Sequence, residues 1–122
     1  MQFDPMIPIW LQVATRIKQE IVTGTRPPGS KLPGGRDLAV AYGINPNTAA
    51  RIYQELESEG VCYTQRGRGT FVTESSERID LLRQEMARNA VRRFLGEIAP
   101  LALSREVLVE MIEKEADSLA QK

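Results

Sequence analysis

A chain of 122 residues, 42% of them hydrophobic and 26% charged, can fold one modest core with an appendage and is too short for a large enzyme fold. Its 16 basic and 16 acidic side chains cancel, so no bulk charge marks it as a binder of polyanions and only the distribution of charge can speak. With no histidine and a single cysteine, Cys62, it cannot close an internal disulfide or build a thiolate metal centre within one chain; no metal site or cofactor is expected.

Residues 1–7 carry Asp4 and Pro5 and lead into no long apolar run, so neither a signal peptide nor a spanning helix is expected, and the default location is the cytoplasm. Pro8 can open a helix, and Ile9, Val13, Ile17 and Ile21 then recur every fourth residue as one buried stripe. Gly24 ends that helix, and the punctuated run Thr25-Arg26-Pro27-Pro28-Gly29 gives way to a short extended piece over Ser30–Leu32. A short helix is predicted over 36–42, burying Leu38 with Ala39 or Ala41, with Gly43 free to adopt the left-handed backbone that closes it. Asn45 then stands as an N-cap and Pro46 as the first residue of a third helix running to about Glu59, with Ala49, Ile52, Tyr53 and Leu56 inward.

Gly60 marks another helix end. The β-branched and aromatic stretches 61–65 and 70–73 flank Arg66-Gly67-Arg68-Gly69, which predicts a hairpin with a basic, glycine-bearing tip and Cys62 as a small core residue. Two further helices follow, over about 77–95 and 105–120, separated by 96–103 with its Pro100. The predicted fold class is therefore α+β, mostly helical: a winged helix-turn-helix over residues 1–73 and a two-helix dimerisation region over 74–122. Residues 1–73 hold a net excess of two positive charges, a weak bias on its own.

The third helix opens Asn45-Pro46-Asn47-Thr48 and carries Arg51 farther along. Asparagine can bond an adenine edge, threonine can meet a base or a thymine methyl, and arginine can fork onto guanine, so this helix start suits insertion into a major groove. The same residues have a structural reading: Asn45 and Thr48 as caps, and Arg51 paired with Glu55 one turn on. Arg66 and Arg68 beside Gly67 suit a wing that brings cations and backbone amides to phosphates, and would equally serve as solvated arginines of an ordinary tight turn. Arg36 begins the second helix, where a cation opposes the helix dipole unless it has a partner such as a DNA phosphate. The serial order of helix, helix-turn-helix and hairpin favours double-stranded DNA over either local alternative.

The runs Pro8-Ile9-Trp10-Leu11-Gln12, Pro28-Gly29-Ser30-Lys31-Leu32-Pro33 with Arg36-Asp37-Leu38-Ala39, Ile44-Asn45-Pro46-Asn47-Thr48 and Gln65-Arg66-Gly67-Arg68-Gly69-Thr70-Phe71-Val72 closely resemble the GntR family of regulators over residues 8–73. The short two-helix tail resembles the YtrA subfamily. The resemblance implies a dimeric repressor of the kind often associated with transporter operons, with DNA contacts at Arg36, at Asn45 to Thr48, and at Arg66 and Gly67. The chain departs from the family pattern at Gly34-Gly35, where a serine-containing run is common, and at Pro46 and Ala50, where arginines are common.

The tail encloses too little volume for a sensor domain, so a small-molecule effector is left unassigned. Its apolar stripes, Ile79, Leu82, Met86 and Phe94 on one helix and Leu108, Met111, Ile112 and Leu119 on the next, are expected to pack across a twofold axis in a homodimer, rather than fold back on the winged domain. An enzyme is disfavoured by the missing histidines and the lack of a glycine-rich phosphate loop between strand and helix. A winged module that meets another protein in place of DNA is the other alternative.

Overall fold

A computed structural model describes residues 2–121. In chain order it comprises α1 (Ile9–Val22), α2 (Gly35–Tyr42), α3 (Pro46–Ser58), β1 (Cys62–Gln65), β2 (Gly69–Val72), α4 (Ser76–Ile98), a 3-10 turn (Ala99–Leu101) and α5 (Arg105–Ala120). The chain divides after Glu85 into two compact units, so the packing of the first continues past residue 73.

In the first unit, α1 starts behind Pro8, whose carbonyl accepts from the Leu11 and Gln12 amides at 3.1 and 3.2 Å. Val13, Ala14, Ile17 and Ile21 are its buried face, and α1 packs against α3. Ile9, expected on that stripe, is 46% exposed, because it occupies the first helical position at the edge of the core. The second helix begins at Gly35, one residue before the expected Arg36, and buries Leu38 and Ala39 while Ala41 faces solvent. Gly43 closes it with φ 65°, which lets the Ile44 amide reach back to the Ala39 carbonyl at 2.9 Å.

All four residues expected inward on α3, Ala49, Ile52, Tyr53 and Leu56, are buried. The Tyr53 hydroxyl donates to the Pro33 carbonyl, which ties α3 to the segment entering α2. β1 and β2 pair antiparallel with Cys62 opposite Val72 and Gln65 opposite Gly69. The extended piece at 30–32 lies along β2: the Leu32 amide donates to the Thr70 carbonyl at 2.8 Å, and the Val72 amide to the Ser30 carbonyl at 2.9 Å. Leu32, Val61, Cys62 and Val72 thereby seal the sheet end of the core.

The start of α4 belongs to this unit, which corrects two residues of the expected dimerisation stripe. Ile79 and Leu82 are only 7% and 2% exposed within the single chain, so they are core residues and offer little surface to a partner. Two arginines fasten the same turns: Arg78 Nε donates to the Glu59 carbonyl at 2.8 Å, and Arg83 to the Val22 carbonyl at 2.7 Å. Those carbonyls are orphan acceptors at or near the C-terminal ends of α3 and α1, where a cation also complements the helix dipole.

The second unit runs from Met86. Its part of α4 continues through Gly96 to Ile98, where a break over 96–103 was expected. A lone glycine costs a helix about 1 kcal/mol and does not end it. Pro100 does, because it lacks the amide to continue the α-helical ladder; the chain tightens into the 3-10 turn, which Ala102 closes with φ 54°. The fifth helix starts as expected, with the Ser104 hydroxyl accepting from the Val107 amide at 3.2 Å. No described residue from Met86 onward is buried: Met86, Phe94 and Leu108 are half-buried, and Met111, Ile112 and Leu119 are exposed. Among the described residues, no helix is long and apolar enough to cross a membrane.

Candidate nucleic-acid interface

The leading end of α3 is a built helix start. Asn45 has extended backbone (φ −67°, ψ 139°), and its side-chain oxygen accepts from the Asn47 amide at 2.7 Å. Pro46 occupies the first turn, where its missing N–H loses no helical bond. The Asn45 carboxamide oxygen is thus committed to capping. Asn47 lies exposed beside it, and Thr48 is half-buried.

Arg51 does not pair with Glu55. Its guanidinium carbon lies over the ring of Trp10, 4.4 Å from the centroid, and among the described residues no carboxylate is within ion-pair distance. This contact joins the second residue of α1 to the exposed side of α3. Sequence spacing on one helix could not reveal it, because the partner is contributed by a different element.

The hairpin tip is the three-residue loop Arg66-Gly67-Arg68, closed by the Arg68 amide donating to the Gln65 carbonyl at 2.9 Å. Gly67 takes φ 80°, a left-handed backbone that a side chain would strain, and Arg66, Gly67 and Arg68 are all exposed. At the base of the wing, Gly69 has φ 122°, and a Cβ there would come within 2.8 Å of Lys31 Cε. The absent side chain lets the Lys31 stem lie across the wing. Lys31 was not singled out from the sequence; its signal was its place in the extended run that pairs with β2.

Lys31 borders a groove of about 690 Å³ lined also by Gly34 and Gly35 at the start of α2, by Gly69 and Thr70 of the wing, and by Arg26 and Asp37. Arg36 follows on α2, exposed, beside an N-cap glycine that supplies no side-chain cap. The helix start therefore keeps donor amides free of a side-chain acceptor. Among the described residues, Lys31, Arg36, Arg51, Arg66 and Arg68 make no salt bridge, whereas Lys18, Arg26, Arg78 and Arg83 do. Arg16, exposed on α1, is also without a salt bridge; the other unneutralised cations of the unit gather at the start of α2, on α3 and around the wing.

Residues 10–72 match the family model for bacterial regulatory proteins of the gntR family. The chain is 38% identical over 112 residues to the HTH-type transcriptional regulator YhcF of Bacillus subtilis, covering 92% of this chain and 93% of that protein. It is 42% identical over 78 residues to the HTH-type transcriptional repressor YtrA of the same organism, covering 62% and 60% of the two chains. Among solved structures, a GntR family transcriptional regulator from Listeria monocytogenes superposes with a TM-score of 0.86 at 38% identity, covering 92% of this chain and 98% of its own. The DNA-binding domain of AraR, solved in complex with the operator ORX1, superposes with a TM-score of 0.56 at 30% identity, over 60% of this chain and 93% of that one. With its winged helix-turn-helix in place over the matched residues, the chain belongs to the GntR family and is a DNA-binding transcriptional regulator, not an enzyme.

Proposed function

We propose that the protein is a repressor that binds a pseudo-palindromic operator as a homodimer. Base edges are read by Asn47, Thr48 and Arg51 from the leading part of α3, next to the Asn45 cap. Phosphates are held by Arg36, Lys31 and the wing residues Arg66, Gly67 and Arg68. The observation that carries this reading is the placement of Arg36, Arg51, Arg66 and Arg68 on α2, α3 and the wing tip, none of them in a salt bridge among the described residues. Such cations remain hydrated until a polyanion replaces their counterions. The YtrA relative, itself a repressor, supports the sign of regulation.

Support for the homodimer comes from the second unit, where both helices leave their apolar residues uncovered. A twofold pairing of these helices buries Met111, Ile112 and Leu119 together with Met86, Phe94 and Leu108. It also presents two winged units to two half-sites.

Fluorescence anisotropy with labelled DNA from upstream of the protein's own gene, and with random duplex of equal length, tests the reading at several salt concentrations. Specific binding should weaken linearly in log–log form with salt, and Arg36→Ala and Arg66→Ala should each reduce the slope by about one. Equal affinity for the two duplexes would overturn sequence-specific recognition.

A further inference from the structure

We propose that Trp10 is a positioning residue for base recognition: its indole holds the Arg51 guanidinium against its ring, so that the N–H donors of the guanidinium are presented to a guanine in the operator. The inference rests on the reading of α3 as the recognition helix and adds a specificity determinant on α1.

The geometry separates two functions of one group. A guanidinium is flat; its face is attracted to the negative face of an aromatic ring, while its N–H bonds all lie in the plane and point outward. At 4.4 Å from the indole centroid, the Arg51 guanidinium carbon is well within the distance of about 6 Å at which this attraction operates. Among the described residues the Arg51 guanidinium makes no hydrogen bond or salt bridge, so a contact through its face leaves the in-plane donors for the fork that matches guanine O6 and N7.

Trp10 is also spare as a core residue. Val13, Ala14, Ile17 and Ile21 already supply the buried face of α1, and the indole is only half-buried. A large aromatic ring left partly exposed beneath an arginine that has no carboxylate partner restricts a flexible side chain before DNA arrives. Less rotamer freedom is then lost on binding, which is the way pre-organisation improves affinity and selectivity.

Trp10 is the sole tryptophan, so its emission reports the stack directly. In the DNA-free protein, Arg51→Ala should shift the emission maximum or intensity, and unchanged emission would overturn the inference while leaving DNA binding untouched. Selection from a randomised duplex library then reads specificity. Wild type should enrich a guanine in each half-site, and Arg51→Ala should lose that preference with a fall in affinity of about tenfold to a hundredfold.

Trp10→Leu should lose the same guanine and bind several-fold more weakly, whereas Trp10→Tyr should restore it. Trp10→Leu placed on Arg51→Ala should cost nothing further. Additive losses, or a Trp10→Leu variant that still selects the guanine, would show that the indole does not act through Arg51. Failure of the wild type to enrich any sequence would instead bring down the reading of α3, and this inference with it.

Discussion

Cys62 and Tyr53 share one buried corner of the first unit, where the thiol lies 3.9 Å from the Tyr53 carbonyl and the phenol donates to the Pro33 carbonyl. Burial pushes the thiol from its ordinary 9.0 up to about 12, and the phenol from 10.0 up to about 12. Each group is neutral when protonated, so the low-dielectric surroundings resist its ionisation. The folded chain therefore holds both protons more tightly than the unfolded chain does. Stability is fully present below pH 9, begins to fall once the unfolded thiol can ionise, and falls faster above pH 10 when the unfolded phenol joins it. Urea midpoints measured from neutral pH to about pH 11 should show that decline, and Cys62→Ala should flatten its first part. Parallel curves for the two proteins would contradict the burial argument. The same environment makes Cys62 a core residue and a poor nucleophile, as its single occurrence in the sequence suggested.

At the scale of elements, α3 and α4 contrast in what spacing alone could predict. The cap residue, the proline behind it and Gly60 bracket α3 within a residue or so, because each imposes a local backbone state independent of the rest of the fold. On α4 the apolar period is continuous, but Ile79 and Leu82 in its early turns are buried in the first unit, and no described residue from Met86 onward is buried. Periodicity marks a stripe and carries no information about which surface covers it, so Ile79 and Leu82 read as dimerisation residues when they are core. The partner of Arg51 was hidden for a related reason: a residue on α3 and one on α1 meet only after folding.

These assignments lead to different costs. Asn45→Ala removes the bond to the Asn47 amide and should destabilise by about 1 kcal/mol. Leu82→Ala, although it lies outside the predicted winged region, should cost about 2–5 kcal/mol, as for a buried leucine. Urea denaturation followed by circular dichroism measures both. A Leu82→Ala effect below that of the cap variant would show that the start of α4 is not part of the core.

For the whole molecule, the exposed apolar side chains of the second unit are the property that a lone protomer leaves unresolved. Met111 and Ile112 are each 47% exposed and Leu119 is 66% exposed, on a helix with no buried residue. Isolated surface hydrophobes are ordinary, but a helix whose apolar stripe is largely uncovered is marginal in water, since most helical stability in proteins comes from packing that stripe. Zero net charge gives little long-range repulsion between copies to oppose association. Ile112→Glu places a carboxylate where the twofold pairing would bury it, and a buried unpaired charge is strongly unfavourable. Sedimentation should therefore find the variant shifted from dimer to monomer. Thermal unfolding of the first unit should persist, because none of its buried residues is touched. Two tethered winged units bind two half-sites with a gain set by effective concentration, so operator affinity should drop by about a hundredfold or more while binding to an isolated half-site survives. An Ile112→Glu protein that still sediments as a dimer would place the pairing surface elsewhere on the chain. A monomeric wild type that binds full operator and half-site equally would remove the need for a dimer altogether.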